Sequence, residues 1–352
     1  IIAYCKINLY IEIYMKNITR SDLQVLITGC YRSGTDYSSV LLNNHPKFIV
    51  TTYTTSFMRY SYNRYNPIFK EKNYTALLNE AKKRIKDRWK KNLNIKKIID
   101  NCKKEKKVTY ALLYDLMMGD LFLDKSVTKW GEKTQLVWRQ IPDFFKLFPN
   151  GKAISIIRDP RSVLASFKKS TYNPEPAYLG AIFNCFDSMQ KSYEYKKKYG
   201  SRFLFFRYED IALSPKKTLK KIYKFLDLNS DHDLLNEKKW LNADGSKFIH
   251  NSVFASKKEK KDQFDFKGSI NRWKSQLSSS EIAFCQFINK DLMKIYNYKI
   301  SKKDNDWNKL LATIFNNKKI FNYFKKWILK NKGIQEFPNN PLDPRNWDEN
   351  NK

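Results

Sequence analysis

Acidic residues are scarce in this chain. Over 352 residues, 35 Asp and Glu stand against 67 Lys and Arg, a net charge of +32. A balance of that sign favours anionic partners such as nucleotides, sulfated or phosphorylated glycans, nucleic acid or an anionic membrane. The lysines are mixed with Asn, Ile and Tyr in the manner of an AT-rich coding bias, so charge alone assigns no partner and no specific nucleic acid is expected. Histidine is scarcer still: His45, His232 and His250 form no ligand spacing, and a metal mechanism has no visible support. The five cysteines, Cys5, Cys30, Cys102, Cys185 and Cys285, are odd in number and far apart, with no C-x-x-C pair. That pattern argues against a disulfide framework or a zinc site.

Long apolar runs are also missing at the start. The first fourteen residues are apolar but broken by Lys6 and Glu12. A spanning helix needs about 20 apolar residues, and no signal-peptide cleavage pattern is visible. Residues 1–21 read as a lead, either the remainder of a truncated anchor or residues upstream of a start at Met15. The chain is expected to be soluble and cytoplasmic.

What is present centres on Leu23 to Pro46, LQVLITGCYRSGTDYSSVLLNNHP. A β-branched and leucine-rich run breaks at Gly29, passes through Arg32-Ser33-Gly34-Thr35, and resumes as a helix-like segment. A buried parallel strand feeding a glycine-containing loop onto a helix start offers unpaired amides and positive dipole potential to an anion. Arg32 adds a forked permanent charge, and Ser33 and Thr35 add hydroxyl donors. The loop lacks the lysine and spacing of a Walker A sequence, which disfavours an ordinary NTPase. The plain alternative is a strand-turn-helix corner with an exposed arginine.

The remaining segments alternate strand and helix. Phe48 to Thr52 reads as a short strand and Tyr53 to Asn66 as a loop over a site. Residues 70–107 read as a solvated, amphipathic helical insertion with Leu77, Leu78, Ile85 and Trp89 at helical intervals. Thr109 to Asp124 is an apolar helix, and Trp130-Gly131-Glu132-Lys133-Thr134 a polar turn. Lys152 to Arg158 is an apolar strand running through Asp159-Pro160 into a helix, with Asp159 suited to cap it and Pro160 to its first turn. Ser166 lies about two helical turns beyond Arg158, so the two need not be neighbours. Arg202 to Asp210 is a further strand with a polar exit, and Ser214-Pro215 opens another helix. A loop, Asp265-Phe266-Lys267-Gly268, leads to Arg272-Trp273-Lys274 and to a helix opened by the capping box Ser278-x-x-Glu281.

This alternation implies an α/β fold, a P-loop-like three-layer sandwich with a central parallel sheet flanked by helices, whose ligands collect at the carboxyl ends of the strands. At 42% hydrophobic the chain can bury a sizeable core. One domain spans 22–300, with the insertion at about 70–107. Residues 301–352 form a basic amphipathic helix and a loose tail. Within it Trp307, Leu310, Leu311, Ile314, Phe315, Phe321, Phe324 and Ile328 recur at helical spacing. Packing on the core is favoured, with docking of residues 306–331 on an anionic membrane surface as the second reading.

Taken together, the blocks between about 22 and 300 resemble the sulfotransferases that use 3′-phosphoadenosine 5′-phosphosulfate, in particular the Golgi and bacterial carbohydrate-type members. YRSGTDYSSVLLNNHP looks like that family's phosphosulfate loop. IIRDPRSVLAS is similar to its 3′-phosphate block through Arg158 and Ser166. Arg207-Tyr208-Glu209-Asp210 resembles a strand exit whose tyrosine lies near the adenosine, and Arg272-Trp273-Lys274 a late loop with a basic residue. The resemblance implies sulfuryl transfer to an acceptor hydroxyl, with a carbohydrate as the first choice of acceptor, and no metal. Arg32, Ser33, Gly34, Thr35, Arg158, Ser166, Tyr208 and Arg272 would bind the co-substrate.

WGEKT matches a turn whose lysine, here Lys133, assists at the family's site. The family's glutamate shortly after His-Pro is missing: no acidic residue occurs between Asp36 and Glu71. Asp36 replaces the family's second threonine and would repel an anion unless Arg32 pairs it. A base is still required, and Glu132 and Asp36 are the nearest candidates in sequence. Two rivals remain: a catalytically degenerate nucleotide-binding or anion-binding protein on the same fold, and a nucleotide-dependent phosphotransferase.

Overall fold

Leu23–Gly29 (β1) is buried along its whole length, which suits a strand flanked by neighbours on both edges and covered on both faces. Phe48–Thr52 (β2), Lys129–Lys133 (β3), Lys152–Ile157 (β4) and Phe203–Arg207 (β5) complete a five-stranded sheet in the order β2-β3-β1-β4-β5. Every pairing is parallel, with Ile27 opposite Lys133 on one side and Ile154 on the other. The computed structural model describes residues 21–329 apart from 53, 90, 125, 170–175, 231–234, 236–239, 242–246, 249–266 and 302–305. The N-terminal lead up to residue 20, the loop start Phe264-Asp265-Phe266 and the tail from 330 lie outside the described residues.

Side-chain alternation along the strands builds the three layers. Leu26, Trp130, Ala153 and Phe203 face one core, while Val25, Ile27, Ile154, Ile156, Leu204 and Phe206 face the other. Helix Thr35–Leu42 (α1) packs its Val40, Leu41 and Leu42 in the second core. The insertion forms Glu71–Trp89 (α2) and Ile95–Cys102 (α3), followed by Tyr110–Phe122 (α4). Leu77, Leu78, Ala81, Ile85 and Ile98 belong to the first core. The apolar stripe of these helices is thus part of the main interior.

Pro160–Lys168 (α5) and Gly180–Tyr199 (α6) follow β4, and Tyr208–Leu213 (α7) and Pro215–Phe225 (α8) follow β5. Asp159 caps α5 through the Arg161 amide, as expected, whereas Ser214 precedes α8 without a side-chain cap bond. Ser279–Ile295 (α9) opens with the full reciprocal capping box of Ser278 and Glu281. Among the described residues no helix is long and apolar enough to cross a membrane.

Two segments depart from their sequence pattern. The expected polar turn Trp130–Thr134 is instead strand β3 and its exit, with Glu132 and Lys133 both fully enclosed. Their charges resemble a turn in sequence, but each meets a partner from a distant segment. The expected loop Tyr53–Asn66 contains a one-turn helix, Phe57–Tyr60, whose residues are buried. In the tail, Lys318–Ile328 (α10) packs inward: Tyr323 meets Phe183, Phe324 meets Phe284, and Trp327 meets Phe287, at 5.9, 5.8 and 5.4 Å between ring centroids. Phe315 and Ile328 stay exposed, at 58% and 55%.

Candidate functional site

The chain leaves β1 toward β2 and β3, while β4 and β5 lie on the other side. The crevice between the carboxyl ends of β1 and β4 is therefore the topological switch point, where open parallel sheets bind ligands. Gly29 closes β1 so tightly that a Cβ there would come within 2.7 Å of the Ile156 carbonyl oxygen. The loop then takes left-handed backbone at Arg32 (φ 65°) and Gly34 (φ 86°). Such alternations form anion-binding concavities, and Gly34 at the N-cap leaves the first-turn amides of α1 without a side-chain cap. Ser33 folds back, its hydroxyl donating to the Cys30 carbonyl at 2.7 Å. Thr35 accepts from Gln135 Nε2 at 3.1 Å.

Residues from the second block reach the same place. Arg32 Nε donates to Ser166 Oγ at 2.8 Å, and Arg158 Nη1 donates to the Arg32 carbonyl at 2.7 Å. Ser166 and Arg158, two turns apart on their own segment, are thus joined through Arg32. Arg158 Nη2 donates to the Ser269 carbonyl at 2.8 Å. Arg158 does not take Asp159 as its partner, because Asp159 holds Arg161 through both oxygens. Tyr208, the first residue of α7, is enclosed between these parts. Its hydroxyl meets Ser269 Oγ at 2.9 Å, and the Arg158 guanidinium lies 4.4 Å from its ring centre. Burial raises its phenol pKa, with Arg158 opposing that shift. Arg272 sits at the junction of two short helices, Gly268–Asn271 and Trp273–Gln276, close enough to Tyr208 to act on it electrostatically.

On the β3 side the two adjacent charges part. Lys133, with no exposed side-chain surface, donates to Asp36 Oδ1 at 2.5 Å. Asp36 thus pairs with Lys133, where the sequence pattern had offered Arg32. Glu132 points to the opposite face and is closed in. Thr55 Oγ1 reaches both its oxygens at 2.9 and 3.0 Å, the amides of Ser56 and Phe57 donate at 2.7 and 3.2 Å, and Tyr114 OH donates at 2.6 Å. Burial raises its pKa in spite of these donors. Glu132 holds the one-turn helix at Phe57 through these bonds, in strand β3, where the sequence pattern reads a polar turn.

Sequence patterns did not indicate Ser269, Tyr31 or Arg59. Arg59 Nη1 donates to Tyr31 OH at 3.2 Å, tying the Phe57–Tyr60 helix to the loop beside Arg32. Ser162, whose hydroxyl donates to the Ile270 carbonyl at 2.8 Å, similarly fastens the 268–271 segment to α5. A serine in a polar stretch carries no signal of such a role.

Two features fit a ligand with anionic groups at separate ends. Arg158 Nε is buried without a hydrogen-bond partner among the described residues, and the loop at Gly34 presents helix-start amides a few residues from Arg32. The model of the sulfotransferase family matches residues 24–233, more than half of the chain. A stretch of 173 residues is 30% identical to carbohydrate sulfotransferase 3 of Tetronarce californica, covering 44% of this chain. The match spans 37% of that protein's length. Among solved structures, the sulfotransferase domain of the Synechococcus PCC 7002 olefin synthase superposes with a TM-score of 0.53 at 17% identity, over 80% of this chain and 97% of that one. The sulfotransferase domain from the curacin biosynthetic pathway gives 0.53 and 17% over 80% and 100%. These two likenesses bear on the fold, a parallel α/β sheet with the same layering. With the family model spanning the phosphate-type loop, the Arg158 block and strand β5, the chain belongs to the sulfotransferase family.

Proposed function

We propose that this protein transfers the sulfuryl group of 3′-phosphoadenosine 5′-phosphosulfate to an acceptor hydroxyl, that of a carbohydrate. The observation that carries this reading is the convergence of Arg32, Arg158 and Ser166 at the β1/β4 crevice, linked by bonds of 2.7 and 2.8 Å. Arg32, Ser33, Gly34, Thr35 and the loop amides would hold the phosphosulfate end. Arg158 and Ser166 would hold the 3′-phosphate, with Tyr208 and Arg272 bordering the nucleotide. Lys133 would stand near the transferring group.

The chemistry asks for positioning and charge stabilisation more than for covalent participation. Guanidinium, ammonium and backbone donors fixed on strand ends can meet the charge that develops on the departing phosphate without reorganising. The carbohydrate class draws support from the carbohydrate sulfotransferase matched at 30% identity. Isothermal titration with adenosine 3′,5′-bisphosphate tests the donor site. Saturable binding is expected, and its absence would sink the reading.

The described cysteines are buried thiols, which suits a reducing compartment such as the cytoplasm. Exposed Phe315, Ile328 and Leu329 beside Lys318, Lys319, Lys325 and Lys326 support a peripheral contact with an anionic membrane. Co-sedimentation with phosphatidylserine vesicles, set against neutral ones, tests that contact.

A further inference from the structure

Transfer to a hydroxyl releases a proton, and the arrangement above leaves its destination open. The carboxylates at the carboxyl edge of the sheet differ sharply in what they already do. Glu132 is closed in by Thr55, Tyr114 and two amides. Asp159 caps α5 and grips Arg161. Glu209 is buried, accepting from the Asp159 amide and from Tyr298 OH. Asp210 meets Arg207 through both oxygens.

Asp36 is of another kind. Its side chain is 27% exposed, and its Oδ1 takes the Lys133 ammonium at 2.5 Å. No hydrogen bond reaches its Oδ2 among the described residues. The residue follows Thr35 in the first turn of α1, next to the loop assigned to the phosphosulfate. Its position is compatible with the positive end of the helix dipole.

We infer that Asp36 is the base that takes the acceptor's proton, held in place by Lys133; this rests on the donor-site reading above. The acceptor oxygen forms a bond to sulfur as the bond from sulfur to the bridging 5′-phosphate oxygen breaks. That electron pair leaves on the phosphate, and the acceptor's proton passes to Asp36 Oδ2. Neutralising Asp36 loosens its hold on Lys133 at the moment when charge grows on the leaving phosphate. The ion pair therefore couples deprotonation of one substrate to stabilisation of the other's leaving group.

Asp36→Asn keeps the shape and removes the basic oxygen. Three readouts on the full chain decide the matter: calorimetric binding of adenosine 3′,5′-bisphosphate, sulfuryl transfer from the donor to water and to methyl β-galactoside, and the reverse loading of the bisphosphate from 4-nitrophenyl sulfate. The last reaction expels an acidic phenol that needs no proton. In the variant, nucleotide binding and nitrophenyl-driven loading are expected within about threefold of wild type, while transfer to water and sugar falls by about a hundredfold or more. Equal loss of all three would make Asp36 a structural residue and overturn the proposal. Unchanged or faster transfer with tighter nucleotide binding would overturn it too, leaving Asp36 as a competitor for Lys133. Failure of the wild-type chain to bind the bisphosphate removes the donor-site reading and this one together, whereas wild-type binding with an indifferent variant removes this one alone.

Discussion

Gly34 and Tyr208 occupy each other's space. A Cβ on residue 34 would lie 2.1 Å from the Tyr208 ring, and the backbone there has a φ of 86°. Both facts exclude a side chain. The tyrosine that follows β5 and opens α7 is therefore a wedge under the phosphate-type loop, and Arg158 stacks on it from the side of β4. The loop's shape depends on two other strands.

Gly34→Ala should accordingly damage loop and stability together. A non-glycine residue forced into this backbone costs about 1–3 kcal/mol, and the clash with the ring adds to it. Thermal unfolding should show a drop of several degrees, and titration a loss of at least about tenfold in affinity for adenosine 3′,5′-bisphosphate. A normal melting temperature would mean that Tyr208 yields more easily than its enclosure implies.

Arg158→Ala should weaken the same nucleotide by about tenfold or more, since a charged hydrogen bond contributes about 1.5–3 kcal/mol. Lysine is not expected to restore it. The guanidinium already donates to two carbonyls, Arg32 and Ser269, through a fork that an ammonium cannot reproduce. Calorimetry on both variants checks this, and an unchanged affinity in the alanine variant would remove the 3′-phosphate role.

Glu132 offers a test through pH. Burial raises its pKa, so the folded chain keeps a proton there that the unfolded chain has released. The resulting stabilisation is present below the ordinary carboxylate value of 4.5 and fades as pH climbs through the raised one. Glu132→Gln should cost about 1–3 kcal/mol at low pH, because its amide NH₂ faces donors from Thr55, Phe57 or Tyr114. The stability gap between wild type and variant should then narrow as pH rises. Denaturant melts across the acid range would show it; a gap that widens would mean that the carboxylate is better held as an anion than its burial suggests.

How much of this was legible beforehand follows from where each partner lies in the chain. β1, β2, β4 and β5 announce themselves as short apolar runs, and Arg32, Arg158 and Ser166 sit in readable strand-to-helix junctions. β3 does not, because Lys129-Trp130-Gly131-Glu132-Lys133 is charged at positions that the fold encloses. Its charges are satisfied by Tyr114, Thr55 and Asp36, the last 97 residues away. Periodicity reports burial against neighbours in sequence and is blind to such pairs. The same holds for Ser269 under Tyr208, a contact across 61 residues.

The tail tests packing against membrane docking. Phe324 is 9% exposed and meets Phe284, Trp307 and Trp327. If α10 is part of the folded core, Phe324→Ala should destabilise the whole chain by about 3–5 kcal/mol, the usual cost of emptying a buried aromatic site. The exposed Ile328 should tolerate the same truncation within about 0.5 kcal/mol. Chemical denaturation of both variants separates the cases. Near-equal small effects would mean that the helix leaves the core easily, and its lysine-flanked apolar side would then be free to bind elsewhere. A large effect at Phe324 with none at Ile328 would confine any membrane contact to the residues that remain outside, Phe315, Ile328 and Leu329, and limit its strength accordingly.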